Sequence, residues 1–157
     1  MTTNTVSTRA DITIRPLEAS DRAGWDGLWD GYLAFYQEQL PQEITEVTWQ
    51  RLISPAEQPY GFAALHEGRI VGFVHYLFHV STWATKGYCY LEDLFVAETA
   101  RGLGVGRALI EAVFRAADEY GATRVYWHTE VDNARAQSLY DQLAQQAPYV
   151  QYRRKPR

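Results

Sequence analysis

The segment from Arg101 to Arg107 is the part of this chain whose residue types and spacing point most clearly to chemistry. It reads Arg-Gly-Leu-Gly-Val-Gly-Arg and stands between an apolar stretch, residues 88–96, and an apolar run with helical spacing. The first N–H groups of a helix have no partner inside the helix, and glycines let the main chain approach an anion closely. The segment therefore predicts a turn that binds the phosphates of a cofactor.

Two other phosphate-binding motifs are excluded by spacing. The dinucleotide motif G-x-G-x-x-G fails because Arg107 stands where the third glycine, counted from Gly102 and Gly104, is required. The P-loop fails because the chain has no Gly-Lys pair followed by Ser or Thr. The turn alone is equally compatible with a strand-to-helix connection that binds nothing, since lone glycine motifs occur often.

Two motifs in order distinguish these readings. The pattern R/Q-x-x-G-x-G/A is matched by Arg101, Gly104 and Gly106, and the pattern N-x-x-A-x-x-x-Y is matched from Asn133 to Tyr140. On these motifs the chain resembles the GNAT superfamily of N-acetyltransferases, from about Ile12 to Arg153. The string Tyr90-Leu91-Glu92-Asp93 is similar to the polyamine and histone acetyltransferase branch, which includes spermidine/spermine N-acetyltransferase.

The resemblance implies acetyl-CoA as the cofactor. It implies that the main chain at the end of the 88–96 strand pairs with the pantetheine arm, that N–H groups after the glycine turn bind the pyrophosphate, and that Asn133 faces the arm. The expected cofactor-binding residues are Leu94, Phe95, Val96, Arg101, Gly102, Leu103, Gly104, Val105, Gly106, Arg107, Asn133 and Tyr140.

Acetyl transfer to an amine needs a base and an acid. A primary amine with a pKa near 10.4 is about 99.9% protonated at neutral pH, so its proton must be removed before it attacks. The resemblance implies Glu92 as the base, commonly through water, and Tyr140 as the donor to the departing thiolate. Glu92 and Asp93 are alternatively partners of Lys or Arg, and Tyr140 is alternatively a packing residue. In a regular strand Asp93 points away from Glu92, but a bulge changes which residue faces the cleft.

The acceptor is expected to be a small cationic amine, namely a polyamine, a lysine side chain or a similar molecule. Aromatic faces and carboxylates attract ammonium groups, and these residues are alternatively surface or core residues without a ligand. The expected substrate-binding residues are Tyr36, Glu38, Trp83, Glu92 and Asp93.

Direct attack in a ternary complex is expected, because the rival nucleophile, Cys89, lies mid-strand without an evident base. A hypothesis from another class is a non-catalytic acyl-CoA-binding regulatory module. No metal-ligand pattern is found. Structural roles are expected for His66, His75, His79 and His128.

Composition fits one globular domain over residues 11–157, with residues 1–10 disordered. Fifteen basic and 19 acidic residues leave a net charge of −4, which argues against nucleic-acid binding. No run approaches the roughly 18 apolar residues of a membrane helix. The single cysteine and the polar N-terminal segment predict a cytoplasmic protein, and a C-terminal strand without a partner predicts a homodimer.

The pattern along the chain predicts a mixed α/β fold of the GNAT type. An antiparallel N-terminal meander is followed by a parallel strand pair, 88–96 and 124–129, splayed around the cofactor, and about four helices cover the sheet. The helices are expected near 20–39, 45–52, 104–120 and 133–145, with a last strand at 149–153.

Overall fold

The computed structural model of the protein describes residues 11–157, so the predicted disordered segment, 1–10, lies outside the described residues. The described chain divides into two compact units, one ending at Trp127 and the other beginning at His128. The expectation of one domain over residues 11–157 stays a prediction.

The first unit is built on a five-stranded sheet whose strands follow one another in chain order. Its strands are β1 (Ile12–Pro16), β2 (Tyr60–His66), β3 (Arg69–His79), β4 (Tyr88–Val96) and β5 (Val125–Tyr126). The first four pair antiparallel, and β4 and β5 pair parallel. The predicted meander and parallel pair are therefore confirmed, although β5 is shorter than predicted.

Three helices belong to this unit: α1 (Arg22–Phe35), α2 (Gln42–Leu52) and α3 (Val105–Tyr120). The expectation that α1 reaches residue 39 is wrong, because Gln37 has a left-handed backbone with φ 53° and ends the helix before Pro41 can. The end of α3 is as predicted, with Gly121 at φ 88° in the capping position.

Helices cover both faces of the sheet. On one face, Trp25 and Trp29 of α1 and Trp49 of α2 form a buried cluster with Phe73 of β3. On the other face, α3 packs so closely that a Cβ on Gly72 would lie 3.1 Å from Val105. Successive strand residues thus face different helices, and the predicted α/β architecture is confirmed.

The second unit, His128–Arg157, contains α4 (Ala134–Leu143). Its predicted start is confirmed, because the Oδ1 of Asn133 accepts a hydrogen bond from the Ala136 N–H at 3.2 Å. The predicted strand at 149–153 is wrong: residues 144–157 form neither helix nor strand. Apolar residues alternate there, but a strand needs a hydrogen-bonded neighbouring strand, and residues 128–157 contain none.

Candidate active site

The glycine turn stands where the sequence predicts it, between β4 and α3. Gly102 and Gly104 have left-handed backbones with φ 83° and 81°, and no atom lies within 4 Å of the place a Cβ would take on either residue. Gly104 precedes α3 without any side-chain cap, and Gly106 lies in the first helical turn. The turn thus offers open space beside N–H groups that a helix leaves without internal acceptors, which suits an anion.

The two arginines of the turn differ in their surroundings. Arg101 is exposed at the end of a short 3-10 turn, Glu98–Ala100. Arg107 is partly buried, and its guanidinium lies 3.8 Å from the Glu111 carboxylate one helical turn later. Both charges are at the turn, but the Arg107 charge is shared with a carboxylate.

The parallel pair separates immediately beyond its first residues. Only Cys89 and Tyr90 of β4 have partners in β5, namely Val125 and Tyr126. Within the described chain, β4 continues from Leu91 to Val96 with a strand partner on its β3 side only. The free edge of β4 therefore presents main-chain groups that an extended ligand can pair with, as the predicted splay requires.

A β-bulge interrupts β4 at Glu92. Asp93 pairs with His75 and Leu91 pairs with the next residue of β3, Tyr76, so Glu92 is the extra residue. In a regular strand Leu91 and Asp93 would share one face. The bulge instead places Asp93 on the face of α1, where it bonds to Tyr32.

Asp93 is the centre of a buried hydrogen-bonded series that we call the Asp93 chain: Trp25, His75, Asp93 and Tyr32. The Tyr32 hydroxyl donates to Oδ1 of Asp93 at 2.5 Å, and Nδ1 of His75 lies 2.9 Å from Oδ2. The indole N–H of Trp25 donates to Nε2 of His75 at 3.1 Å. Because Nε2 accepts, the proton of neutral His75 is on Nδ1, which donates to Asp93.

His75 packs in the core, as expected for a structural residue: its ring is fully buried and stacks on Phe73 at 4.4 Å. In addition, both ring nitrogens are hydrogen-bonded. The alternative that Glu92 and Asp93 pair with Lys or Arg is wrong for the described residues, in which neither carboxylate forms such an ion pair. The sequence does contain a signal for the contact between His75 and Asp93, because each is a polar residue in an apolar strand and the two strands pair at these positions.

The two neighbouring carboxylates have different environments. Glu92 is exposed to solvent on one side, but partial burial by the protein, followed by the charge of Asp93, raises its pKa above the ordinary range. Burial, followed by the Asp93 charge, strongly raises the pKa of Tyr32, which therefore stays a hydroxyl donor. Glu92 is the accessible carboxylate of the pair.

A second pair of polar residues lies at the point where β4 and β5 separate: His79, for which the sequence predicts a structural role, and Tyr126, which it does not single out. The hydroxyl of Tyr126 is 2.7 Å from Nε2 of His79, whose Nδ1 is 2.9 Å from the carbonyl of Val80. His79 thus donates from Nδ1 and accepts from Tyr126. Burial is the main cause that raises the pKa of Tyr126, and the charge of Glu92 adds to it.

The predicted substrate-binding residues are only partly brought together. The Tyr36 ring lies 5.0 Å from that of Tyr32 and so adjoins the Asp93 chain. Glu38 is exposed after the end of α1, and Trp83 is 78% exposed in the loop between β3 and β4. Neither is a member of the Asp93 chain.

Cys89 is poorly suited to act as a nucleophile. It is completely buried in β4, and burial raises the pKa of its thiol to about 12. A thiol with this pKa is almost entirely protonated at neutral pH, and a nucleophilic cysteine acts as thiolate.

Two further observations concern residues 11–157. No helix among them has the length and apolar character to cross a bilayer. In the same residues, no group of three or more His, Cys, Asp or Glu side chains is arranged to hold a metal ion.

In its own unit, Tyr140 lies on α4 and is half-buried. Asn133 caps the same helix through its side chain. The motif residues are therefore at the start and in the body of one helix, as the sequence predicts.

Comparison with known proteins identifies similar chains. Residues 25–144 match the family described as Acetyltransferase (GNAT) family. The chain is 39% identical over 145 residues to the D-amino-acid N-acetyltransferase HPA3 of Saccharomyces cerevisiae, covering 91% of this chain and 90% of that protein. It is 30% identical to the uncharacterized N-acetyltransferase YhfO of Bacillus subtilis, covering 83% and 87%.

The fold is also found among solved structures. AAC(6')-Iy, solved in complex with the bisubstrate analog CoA-S-monomethyl-acetylneamine, superposes with a TM-score of 0.80. The match covers 94% of this chain and 99% of the other at 22% identity. This likeness concerns the fold.

Proposed function

The chain belongs to the acetyltransferase (GNAT) family, and from this premise we propose that it transfers the acetyl group of acetyl-CoA directly to a primary amine. The expectations of an acetyl-CoA-dependent N-acetyltransferase, and of acetyl-CoA as its cofactor, are confirmed by family membership. The single observation that best supports direct transfer to the amine is the bulge of β4. It presents an accessible carboxylate, that of Glu92, beside the shielded carboxylate of Asp93.

The described residues fit the cofactor. The open glycine turn and the first turn of α3 would hold the pyrophosphate through N–H groups, with Arg101 and Arg107 supplying charge. The free edge of β4 at Leu94–Val96 would pair with the pantetheine amides. When bound, the cofactor supplies an acetyl group activated as a thioester. Asn133 keeps its proposed place facing the arm, on the basis of the family motif.

Glu92 is the proposed base. The ammonium form of the acceptor would lose two protons in all. Glu92 would accept the first, directly or through water, and pass it to solvent, so that the neutral amine can attack. The second would leave nitrogen once the bond from nitrogen to the acetyl carbon forms and the bond from that carbon to sulfur breaks, and it would replace the proton that Tyr140 gives to the departing sulfur. A raised pKa suits this role, because a base is most effective when its pKa is near the working pH.

Tyr140 is the proposed acid that protonates the departing sulfur, on the basis of the motif that contains it. The buried state of Cys89 supports direct attack over a route through an acetylated enzyme, since a protonated thiol without access to solvent is not a nucleophile.

For the acceptor we propose a small cationic amine, and among such amines an amino acid ahead of a polyamine. A relative of nearly the same length is named for D-amino acids, which supports this order. The polyamine and histone branch and the lysine side chain stay proposals. So do substrate contacts from Tyr36, Glu38, Trp83, Glu92 and Asp93, of which Tyr36 has the best support because it adjoins Tyr32.

The proposal is tested by release of free CoA thiol from acetyl-CoA with a panel of amino acids, polyamines and lysine peptides. We expect turnover with at least one acceptor. Tight binding of acetyl-CoA without turnover of any of them would favour the alternative, a non-catalytic acyl-CoA-binding regulatory module.

A homodimer and a cytoplasmic location also stay proposals. The exposed tail residues Tyr149, Val150 and Tyr152, which are 76% to 92% exposed, support association with a second copy. The mass of the protein in solution tests the dimer.

A further inference from the structure

Both oxygens of the Asp93 carboxylate are occupied by donors from different elements. Tyr32 of α1 donates to Oδ1, and His75 of β3 donates to Oδ2. The Asp93 side chain is only 13% exposed. Two donors on opposite oxygens fix the orientation of the carboxylate.

His75 is itself held by Trp25. The indole N–H of Trp25 donates to Nε2 of His75, so Nδ1 is the nitrogen that faces Asp93. Trp25 thereby fixes the orientation of the ring that donates to Asp93.

We propose that Tyr32 and His75 are positioning residues that hold Asp93 as a fixed anion beside the bulge, so that Glu92 alone exchanges a proton with the acceptor amine. This inference rests on the proposed function, in which Glu92 is the base. The fixed charge attracts the ammonium form of the acceptor and strengthens Glu92 as a base, because a neighbouring negative charge favours proton uptake.

Titratable groups from three elements surround this pair. Tyr32 of α1 and His75 of β3 bond to Asp93, Tyr36 of α1 adjoins Tyr32, and Tyr126 of β5 senses the charge of Glu92. The raised pKa values of Tyr32 and Tyr126 keep both hydroxyls protonated in neutral solution. Glu92, unlike Asp93, is exposed to solvent and can exchange its proton there.

The test is the acidic limb of the pH profile of kcat/KM, measured with the intact enzyme and acetyl-CoA. In Asp93→Asn the limb should move to lower pH by about half a unit or more, because the neighbouring charge is gone. In Tyr32→Phe and His75→Leu it should move in the same direction by a smaller amount, because the Asp93 charge is then no longer held beside Glu92.

Matched variants separate positioning from packing. His75→Asn keeps an N–H near the place of Nδ1 and should restore the wild-type limb, whereas Tyr60→Phe, on β2, should leave it unchanged. If His75→Leu does not fold, the acidic limbs of Tyr32→Phe and Asp93→Asn are sufficient for the test.

The outcomes distinguish this inference from the proposed function. If Glu92→Gln keeps the acidic limb, Glu92 is not the base and both fail. If Glu92→Gln abolishes the limb, but Asp93→Asn and Tyr32→Phe leave it at the wild-type pH, the inference alone is overturned. Shifts of the limb to lower pH in all three variants support it, since a lost packing contact lowers kcat without moving the limb.

Discussion

The glycine turn and the Asp93 chain are built on different principles. The turn, Arg101 to Arg107, depends on main-chain shape, with two left-handed glycines and an uncapped helix start. The Asp93 chain depends on side chains from three elements that hydrogen-bond to one another. We infer that cofactor capture depends on backbone conformation, whereas control of the proton depends on side-chain packing.

The largest expected effect concerns the turn. In Gly104→Val, a β-branched residue is forced into a backbone with φ 81°, and its side chain fills the open space beside the helix start. We expect the Kd for CoA to rise about 100-fold, because main-chain N–H groups can no longer approach the phosphates. Calorimetry with CoA measures this.

Gly68→Val is the matched control, because Gly68 has a similar φ of 76° and lies in the β2–β3 turn. Both variants should lose about 1–3 kcal/mol of stability from backbone strain. Only Gly104→Val should lose CoA affinity; equal losses in both would mean that the turn has no special role.

The second prediction tests whether the Asp93 chain depends on the packing of Trp25. Trp25→Phe and Trp29→Phe each remove a buried indole N–H, one bound to His75 and the other to Thr45. Both should unfold more easily, by about 1–3 kcal/mol. Only Trp25→Phe should also lower kcat, by about tenfold, because His75 then loses its anchor. Thermal unfolding and steady-state rates test this, and equal kcat values in the two variants would contradict it.

The smallest effect is expected at Cys89. Cys89→Ala should keep kcat within about twofold, since a buried thiol takes no part in direct attack, and should cost about 1 kcal/mol of stability. A loss of activity of several orders of magnitude, or an acetylated Cys89 found by mass spectrometry of the wild type, would contradict direct transfer.

The two regions also differ in how far the sequence predicts them. The turn is local: β4 has the predicted bounds 88–96, and α3 begins one residue after the predicted start. The Asp93 chain joins residues that are 18, 50 and 61 positions apart, so periodicity cannot reveal it. The sequence allows a bulge near Glu92, but only the register with β3 fixes where it lies.

The predicted C-terminal strand shows that a local sequence pattern can also predict an element that does not form. Its alternating residues, among them Tyr149, Val150 and Tyr152, fit a strand locally, yet strand formation depends on a neighbour that a local pattern does not supply. The shortened β5 has the same cause, since pairing with β4 ends after Tyr90.

The most direct test of the central claim, that Glu92 at the bulge accepts the amine proton, is the pH profile of kcat/KM for wild type and Glu92→Gln at saturating acetyl-CoA. We predict that the variant binds CoA normally, loses about 100-fold or more in rate and no longer shows the acidic limb. A variant with wild-type rate and the same acidic limb would contradict the account.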